Sequence, residues 1–235
     1  CDLRYTLMVP VICIDGPSGA GKGTIAKRLA EHLGWHLLDS GALYRVLGHA
    51  CLLAGIPWDD EPAVTEMATN LDVSFRPGSE GVDVLLAGQD VTRAVRSEEG
   101  GLGASAVAVI PDVRAALLER QRQLALAPGL VADGRDMGSV VFVDAPLKIF
   151  LSASPEARAQ RRYSQLLGRG ESVSLPRLLE AIKERDARDA NRDASPLVAA
   201  EDAVTIDSTE LSVDAVFNRV LELVATRGLG TRASG

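Results

Sequence analysis

Val11-Ile12-Cys13-Ile14 is an unbroken apolar, β-branched run, and it predicts a short strand buried on both faces of a parallel sheet. Beyond the glycines that follow, Ile25, Ala26, Leu29 and Leu33 recur at helical spacing, with Lys27, Arg28 and Glu31 on the other side. Further short runs, Trp35–Leu38, Leu130–Ala132, Leu147–Leu151 and Ala203–Ile206, each give way to polar or small residues and then to a helical pattern. Strands separated by helices predict an α/β fold: a doubly wound parallel sheet of five strands flanked by helices. Residues 71–96 break this rhythm. Apolar and polar positions alternate there around two turn signals, Pro77-Gly78 through Gly81 and Ala87-Gly88-Gln89-Asp90, which predicts a small antiparallel insertion. It falls between a helix near 41–54 and helices at about 97–125. Leu175, Leu178, Leu179 and Ile182 mark a later helix, and the Gly/Ser/Arg-rich end after Thr226 predicts fraying.

The 235 residues, 46% hydrophobic and 24% charged, suffice for one α/β domain with a sizeable inserted subdomain. A net charge of -7 argues against a protein that coats nucleic acid or an anionic membrane, since both are bound through excess Lys and Arg. Cys1, Cys13 and Cys51 make neither a CxxC pair nor an even framework, which points away from disulfides and zinc and toward a reducing cytoplasm. No run reaches the roughly 18 to 20 apolar residues that span a bilayer. The first residues show no signal-peptide pattern, and Met8 is expected to be a natural start with residues 1–7 additional.

The chemistry begins at Gly16-Pro17-Ser18-Gly19-Ala20-Gly21-Lys22-Gly23-Thr24. A phosphate-binding pattern that joins a strand to an amphipathic helix aims backbone N–H groups and the helix dipole at an anion. Lys22 is expected at the β- and γ-phosphates of a nucleotide; a merely flexible glycine turn would leave it unexplained. Gly23 stands where a Ser or Thr usually holds magnesium, so Thr24 and water are expected to supply the oxygens. Ser40, at the next strand-to-helix junction, fits either an N-cap or a ligand contact. Tyr44 and Arg45 follow it near the carboxyl ends of the strands, where Arg45 reads as an anion contact in preference to a surface charge.

Asp133-Gly134-Arg135-Asp136 places three charges within four residues just after a strand. A charged surface turn is one reading; the other has Asp133 holding water on magnesium, or a ribose or base, and Arg135 holding a phosphate. Arg158, Arg161 and Arg162 share one helix face with no acid among them, and Gly168 and Gly170 follow. That suits a mobile lid whose arginines await an anion, against the plainer alternative of a solvated basic face. Arg185, Asp189 and Arg192 form one stripe, in which Arg185 and Asp189 are either a helical ion pair worth about 0.2–0.5 kcal/mol or a grip on a ribose. His32, His36 and His49 lack metal-ligand spacing, and no GxSxG elbow occurs.

In this order GPSGAGKGT, LLDSGALYR, VADGRDMGSVVF and IKERDARDANR resemble bacterial cytidylate kinases, over essentially residues 9–225. The last three motifs separate that family from adenylate, guanylate and thymidylate kinases. The resemblance implies a single P-loop kinase domain of the nucleoside monophosphate kinase type. Its core would comprise 9–70, 97–155 and 195–225, with an acceptor-binding insertion at about 71–96, a lid at about 156–172, and flexible ends at 1–8 and 226–235. It implies direct in-line transfer from ATP to CMP or dCMP with Mg²⁺, by a cytoplasmic monomer with no nucleic-acid or membrane partner. Carried over residue by residue, the Gly16–Thr24 loop would bind ATP, and Lys22, Arg158, Arg161 and Arg162 would offset transition-state charge. Ser40, Arg45 and Arg135 would hold the acceptor phosphate with Tyr44 and Asp133 close by. Arg185 and Asp189 would hold the sugar, while Ser105, Arg114, Asp136 and Arg192 would surround the cytosine. A carboxylate for the exocyclic amine and an arginine for the ring acceptors would reject uracil by about 1–3 kcal/mol or more. One departure is Gly100-Gly101-Leu102-Gly103-Ala104-Ser105, richer in glycine than the corresponding helix of the family. Two other functions remain open, a kinase of broader pyrimidine specificity and a nucleotide-dependent switch, although no NKxD motif occurs.

Overall fold

The structure, a computed structural model, describes residues 9–78, 81–168, 170–190 and 197–230. The expectations placed on Arg192, on residues 1–8 and on the last five residues lie outside the described residues. In chain order the first elements are β1 (Val11–Asp15), α1 (Lys22–Leu33), β2 (His36–Asp39), α2 (Ser40–Leu53), α3 (Glu61–Thr69), β3 (Val73–Gly78), β4 (Gly81–Leu86), β5 (Gln89–Asp90), α4 (Thr92–Val95), α5 (Glu98–Val107) and α6 (Pro111–Arg122). They are followed by β6 (Leu130–Gly134), one π-helical turn (Met137–Val141), β7 (Leu147–Ser152), α7 (Pro155–Leu167), α8 (Leu175–Ala190), β8 (Val204–Asp207) and α9 (Val213–Thr226). The chain divides into two compact units, one made of Cys1–Leu38 with Gln123–Gly235 and the other of Asp39–Arg122.

The first unit holds a sheet in the order β2-β6-β1-β7-β8. All of β1 is buried, as its apolar run requires, between the parallel strands β6 and β7. From β1 the chain first moves toward one edge, and later returns to the other side with β7 and β8. Ligands of open α/β sheets usually bind at the carboxyl ends of the strands where the strand order reverses in this way. Ile25 and Leu29 of α1 and Phe217 and Val220 of α9 pack with Ile12, Ile14, Val131, Ile149 and Leu151 into one core. Each such side chain stabilises by about 1.5–3 kcal/mol when fully buried. The expected five parallel strands are thus present.

The second unit holds the antiparallel sheet β3-β4-β5, in which Phe75 pairs with Val84 and Leu85 with Asp90. It reaches well beyond the 71–96 stretch, because α2, α3, α5 and α6 close over the same apolar residues, among them Leu47, Val64, Val84, Val107, Val113 and Leu117. Helix α3 was not expected, since Val64 and Ala68 are its buried residues and a pair at i, i+4 is a weak periodic signal. Its start is nevertheless well made: Asp60 accepts from the Ala63 N–H at 3.2 Å, and Pro62 occupies the first turn.

The glycine-rich departure has a packing reason. A Cβ on Gly48 of α2 would lie 2.9 Å from Cα of Gly103 on α5, and one on Gly103 would lie 2.8 Å from Cζ2 of Trp58. The indole N–H of Trp58 donates to the Gly48 carbonyl at 2.9 Å, which fixes the ring against that crossing. Two helices approach here to backbone contact. Gly103→Ala is expected to destabilise the protein by about 1–3 kcal/mol through overpacking, visible as a melting temperature lower by several degrees together with altered Trp58 fluorescence.

Candidate active site

The phosphate loop leaves the sheet at Gly16, whose φ is 145° and where a Cβ would stand 2.0 Å from the Leu151 carbonyl oxygen of β7. A side chain has no place there. Three cations engage carbonyl oxygens of the loop. Lys22 Nζ donates to Pro17 O at 2.9 Å, Arg158 Nη1 to Ser18 O at 3.1 Å and Arg161 Nη1 to Ala20 O at 3.4 Å. Because C=O and N–H of a trans peptide point in opposite directions, the N–H groups of Ser18, Gly19 and Gly21 turn away from those cations. That is the arrangement of an anion nest.

At the start of α1 a Cβ on Gly23 would lie 3.2 Å from Asp133 Oδ2. The missing side chain makes room for the carboxylate, which accounts for glycine where a hydroxyl residue is usual. Thr24 is exposed next to it. Among the described residues no three His, Cys, Asp or Glu side chains group as a metal site.

The strand beside β1 ends in the DGRD segment, with Asp133 and Gly134 in register with Ile14 and Asp15. Arg135 Nε donates to Asp189 Oδ2 at 2.5 Å, and Asp189 is buried. Arg135 Nη2 is buried with no hydrogen-bond partner among the described residues. Arg185 Nη1 stands 3.5 Å from Ser18 Oγ, so α8 reaches both the phosphate loop and the Arg135 turn. Asp136 is buried immediately before the π-helical turn.

The lid arginines differ from expectation. No acid lies among them in sequence, yet Asp186 of α8 provides one in space: it receives Nη1 of Arg158 at 3.0 Å, and Nη2 on its other oxygen. Arg158 is buried and also donates through Nε to Ala153 O at 2.9 Å. Arg161 donates to the Ser208 carbonyl at 2.5 Å and to its hydroxyl at 3.1 Å, and Arg162 to Gln165 Oε1 at 2.8 Å. Each is thus already ordered, Arg158 by α8, Arg161 by Ser208 and Arg162 by Gln165 of its own helix.

In the second unit Asp39, and not Ser40, caps α2, accepting from the Ala42 N–H at 2.9 Å. Ser40 is the first helical residue and is buried, so capping no longer explains it. Arg45 Nη2 lies 3.7 Å from Asp39 Oδ2 and its Nε donates to Gly41 O at 3.3 Å. The guanidinium of Arg114 stands 5.7 Å over the ring of Tyr44 and donates to Ala108 O at 3.3 Å. Ser105 is buried on α5, just beyond the Gly48–Gly103 crossing.

Two partners escaped the sequence altogether. The Ser208 hydroxyl lies 3.2 Å from Ala20 O and 2.9 Å from Ser152 O, propping the phosphate loop. Asp15, at the end of β1, accepts from the Met137 and Gly138 N–H groups at 2.8 Å each. Burial pushes its carboxyl up to about 6; Asp136 adds to the rise, while the two N–H groups and Lys22 oppose it. An acidic residue closing an otherwise apolar buried strand was the available signal.

The family profile described as cytidylate kinase matches residues 12–226. The chain is 58% identical to the cytidylate kinase of Aeromonas salmonicida over 214 residues, covering 91% of this chain and 93% of that one. It is 56% identical to that of Stutzerimonas stutzeri, with 94% and 97% covered, and 54% identical to that of Pseudomonas aeruginosa, with the same coverage.

The raised Asp15 pKa carries a stability consequence. Below the ordinary carboxylate value near 4 the group is protonated whether folded or unfolded, and its stabilising contribution is at its full, pH-independent value. Between 4 and about 6 only the folded state holds the proton, so stability falls as pH rises through this window and levels off above it. Asp15→Asn removes the titration. The stability advantage of the wild type over this variant is expected to be larger at pH 5 than at pH 7.5, by about 1 kcal/mol in urea titrations. An advantage that shrinks on acidification would contradict a raised pKa.

Proposed function

The chain belongs to the cytidylate kinase family, and from this we propose how its residues phosphorylate CMP and dCMP at the expense of ATP. The observation that carries the assignment is the Asp133-Gly134-Arg135-Asp136 turn at the end of β6, the strand paired with the one that feeds the phosphate loop. Donor and acceptor groups therefore sit on adjacent strand ends.

The Gly16–Thr24 loop binds the ATP phosphates through its N–H groups, and Lys22 moves from the Pro17 carbonyl to the β- and γ-phosphates. Magnesium fits the donors present: the Thr24 hydroxyl, and Asp133 through water, would hold it on the phosphates, where it offsets their negative charge. Arg158, Arg161 and Arg162 face the transferring group as a lid at about 156–172. Arg158 exchanges Asp186 for phosphate oxygens, and Arg135 donates to them through Nη2. Ser40 and Arg45 join Arg135 on the acceptor phosphate, and Arg185 with Asp189 holds the sugar. Asp136 accepts from the cytosine amine while Arg114, Ser105 and Arg192 meet the ring acceptors. With charge neutralised and the reacting oxygens held in line, transfer needs no covalent intermediate.

Among the described residues no single helix is long and apolar enough to cross a membrane. Cys13 and Cys51 are free and buried, in keeping with the cytoplasmic location proposed here for an enzyme that works as a monomer.

ADP formation from ATP, with CMP, dCMP, UMP, AMP and GMP offered singly, tests the proposal. CMP and dCMP are expected to stimulate turnover far above the others; equal ADP release with and without acceptor would identify a switch. A UMP rate equal to that of CMP would instead favour the broader pyrimidine kinase. Lys22→Ala should abolish turnover with every acceptor. Asp136→Ala should lower the CMP-to-UMP preference about 10- to 100-fold, the size of one mismatched buried polar pair.

A further inference from the structure

Asp15 belongs to neither set of residues proposed to touch nucleotide, yet both its oxygens are spent on the backbone that carries Arg135 and Asp136. Oδ1 receives the Met137 N–H and Oδ2 the Gly138 N–H, each at 2.8 Å, and the residue is buried, with 6% of its surface exposed. The Met137 N–H lies in the peptide plane that follows Asp136. Holding that plane, with β6 holding the chain on the other side, restrains ψ of Asp136 and with it the direction of its Cα–Cβ bond. Asp136, at φ -145° and ψ 21°, is neither helical nor extended; its carbonyl accepts from the Val140 and Val141 N–H groups at 2.9 and 3.2 Å, so the peptide plane that follows is held on its carbonyl side by the π-helical turn and on its N–H side by Asp15. At its other end Asp15 precedes Gly16, which is wedged against Leu151 O. One residue thus begins the phosphate loop and clamps the neighbouring turn.

We propose that Asp15 is a positioning residue for acceptor choice: by gripping Met137 and Gly138 it aims the Asp136 carboxylate at the base and keeps that turn in register with the phosphate loop. This rests on the kinase function and the base-reading role of Asp136 proposed above. A carboxylate accepting two N–H groups makes charge-assisted bonds stronger than neutral ones. Asparagine can accept only one, since its amide nitrogen would oppose the second N–H donor. The turn is then released by a fraction of an ångström to an ångström, enough to affect a site that depends on alignment.

The test uses the full chain and measures steady-state kinetics with ATP saturating and either CMP or UMP varied. Asp15→Asn is expected to lower kcat/KM for CMP at least tenfold, mainly through KM. It should reduce the CMP-to-UMP preference at least tenfold and leave KM for ATP within about twofold. A folded variant that retains the wild-type preference overturns the proposal even if its rates fall, because a purely structural defect reduces both acceptors together. Amide exchange on the wild-type protein without nucleotide provides a second measurement that needs no variant. Met137 and Gly138 should be protected as strongly as the amides of β1, and exchange at the rate of an exposed turn overturns the proposal. Wild-type protein that makes no CMP-dependent ADP overturns the kinase function instead, and amide exchange still decides whether Asp15 holds the turn.

Discussion

A multiply charged phosphate has to be held without filling the site with free side-chain charge, and the end of β1 answers that constraint with backbone. The strand is buried between β6 and β7, so the loop that leaves it has a fixed origin. Lys22, Arg158 and Arg161 then occupy the carbonyl oxygens of Pro17, Ser18 and Ala20. Each carbonyl turned toward a cation turns the N–H of the same peptide the other way. The peptides of the loop are thereby oriented with their N–H groups on one side, before any anion is present.

Such a cluster of cations is costly to bury unless acids balance it. Helix α8 supplies them, with Asp186 on Arg158 and Asp189 on Arg135. The same helix brings Arg185 to Ser18. One surface thus ties the phosphate loop, α7 and the DGRD turn together, and each carboxylate holds an arginine in a position that phosphate oxygens would compete for. The second unit solves a separate problem: it places a buried serine, an arginine and an aromatic ring on helices whose spacing is set by glycine contact at Gly48 and Gly103.

Much of this was legible from the chain. The five strand runs appear within a residue or two of their expected bounds, because a two-sided burial requirement leaves an unbroken apolar signature. The antiparallel stretch was equally plain from its alternation and turns. Helix α3 was not, since a partly exposed helix with two buried residues has almost no periodic signal. Ser40 was offered as a cap because Ser is a good one; Asp39, one residue earlier, was an equally good candidate, and only the backbone dihedrals separate them. The arginines of α7 looked unbalanced because their acid is 28 residues away along the chain.

What the amino-acid order determined by itself was therefore everything local or periodic: the strands, the phosphate loop at a strand-to-helix junction, the charged turn after β6, and the motif set that carries the family resemblance. Only the tertiary structure decided the pairings. It joined Asp15 to Met137 and Gly138, Asp133 to the space left by Gly23, and Asp189 to Arg135. These contacts span roughly 50 to 120 positions of chain. No propensity or spacing rule reaches that far, because such contacts exist only once burial has brought strand ends and helices together.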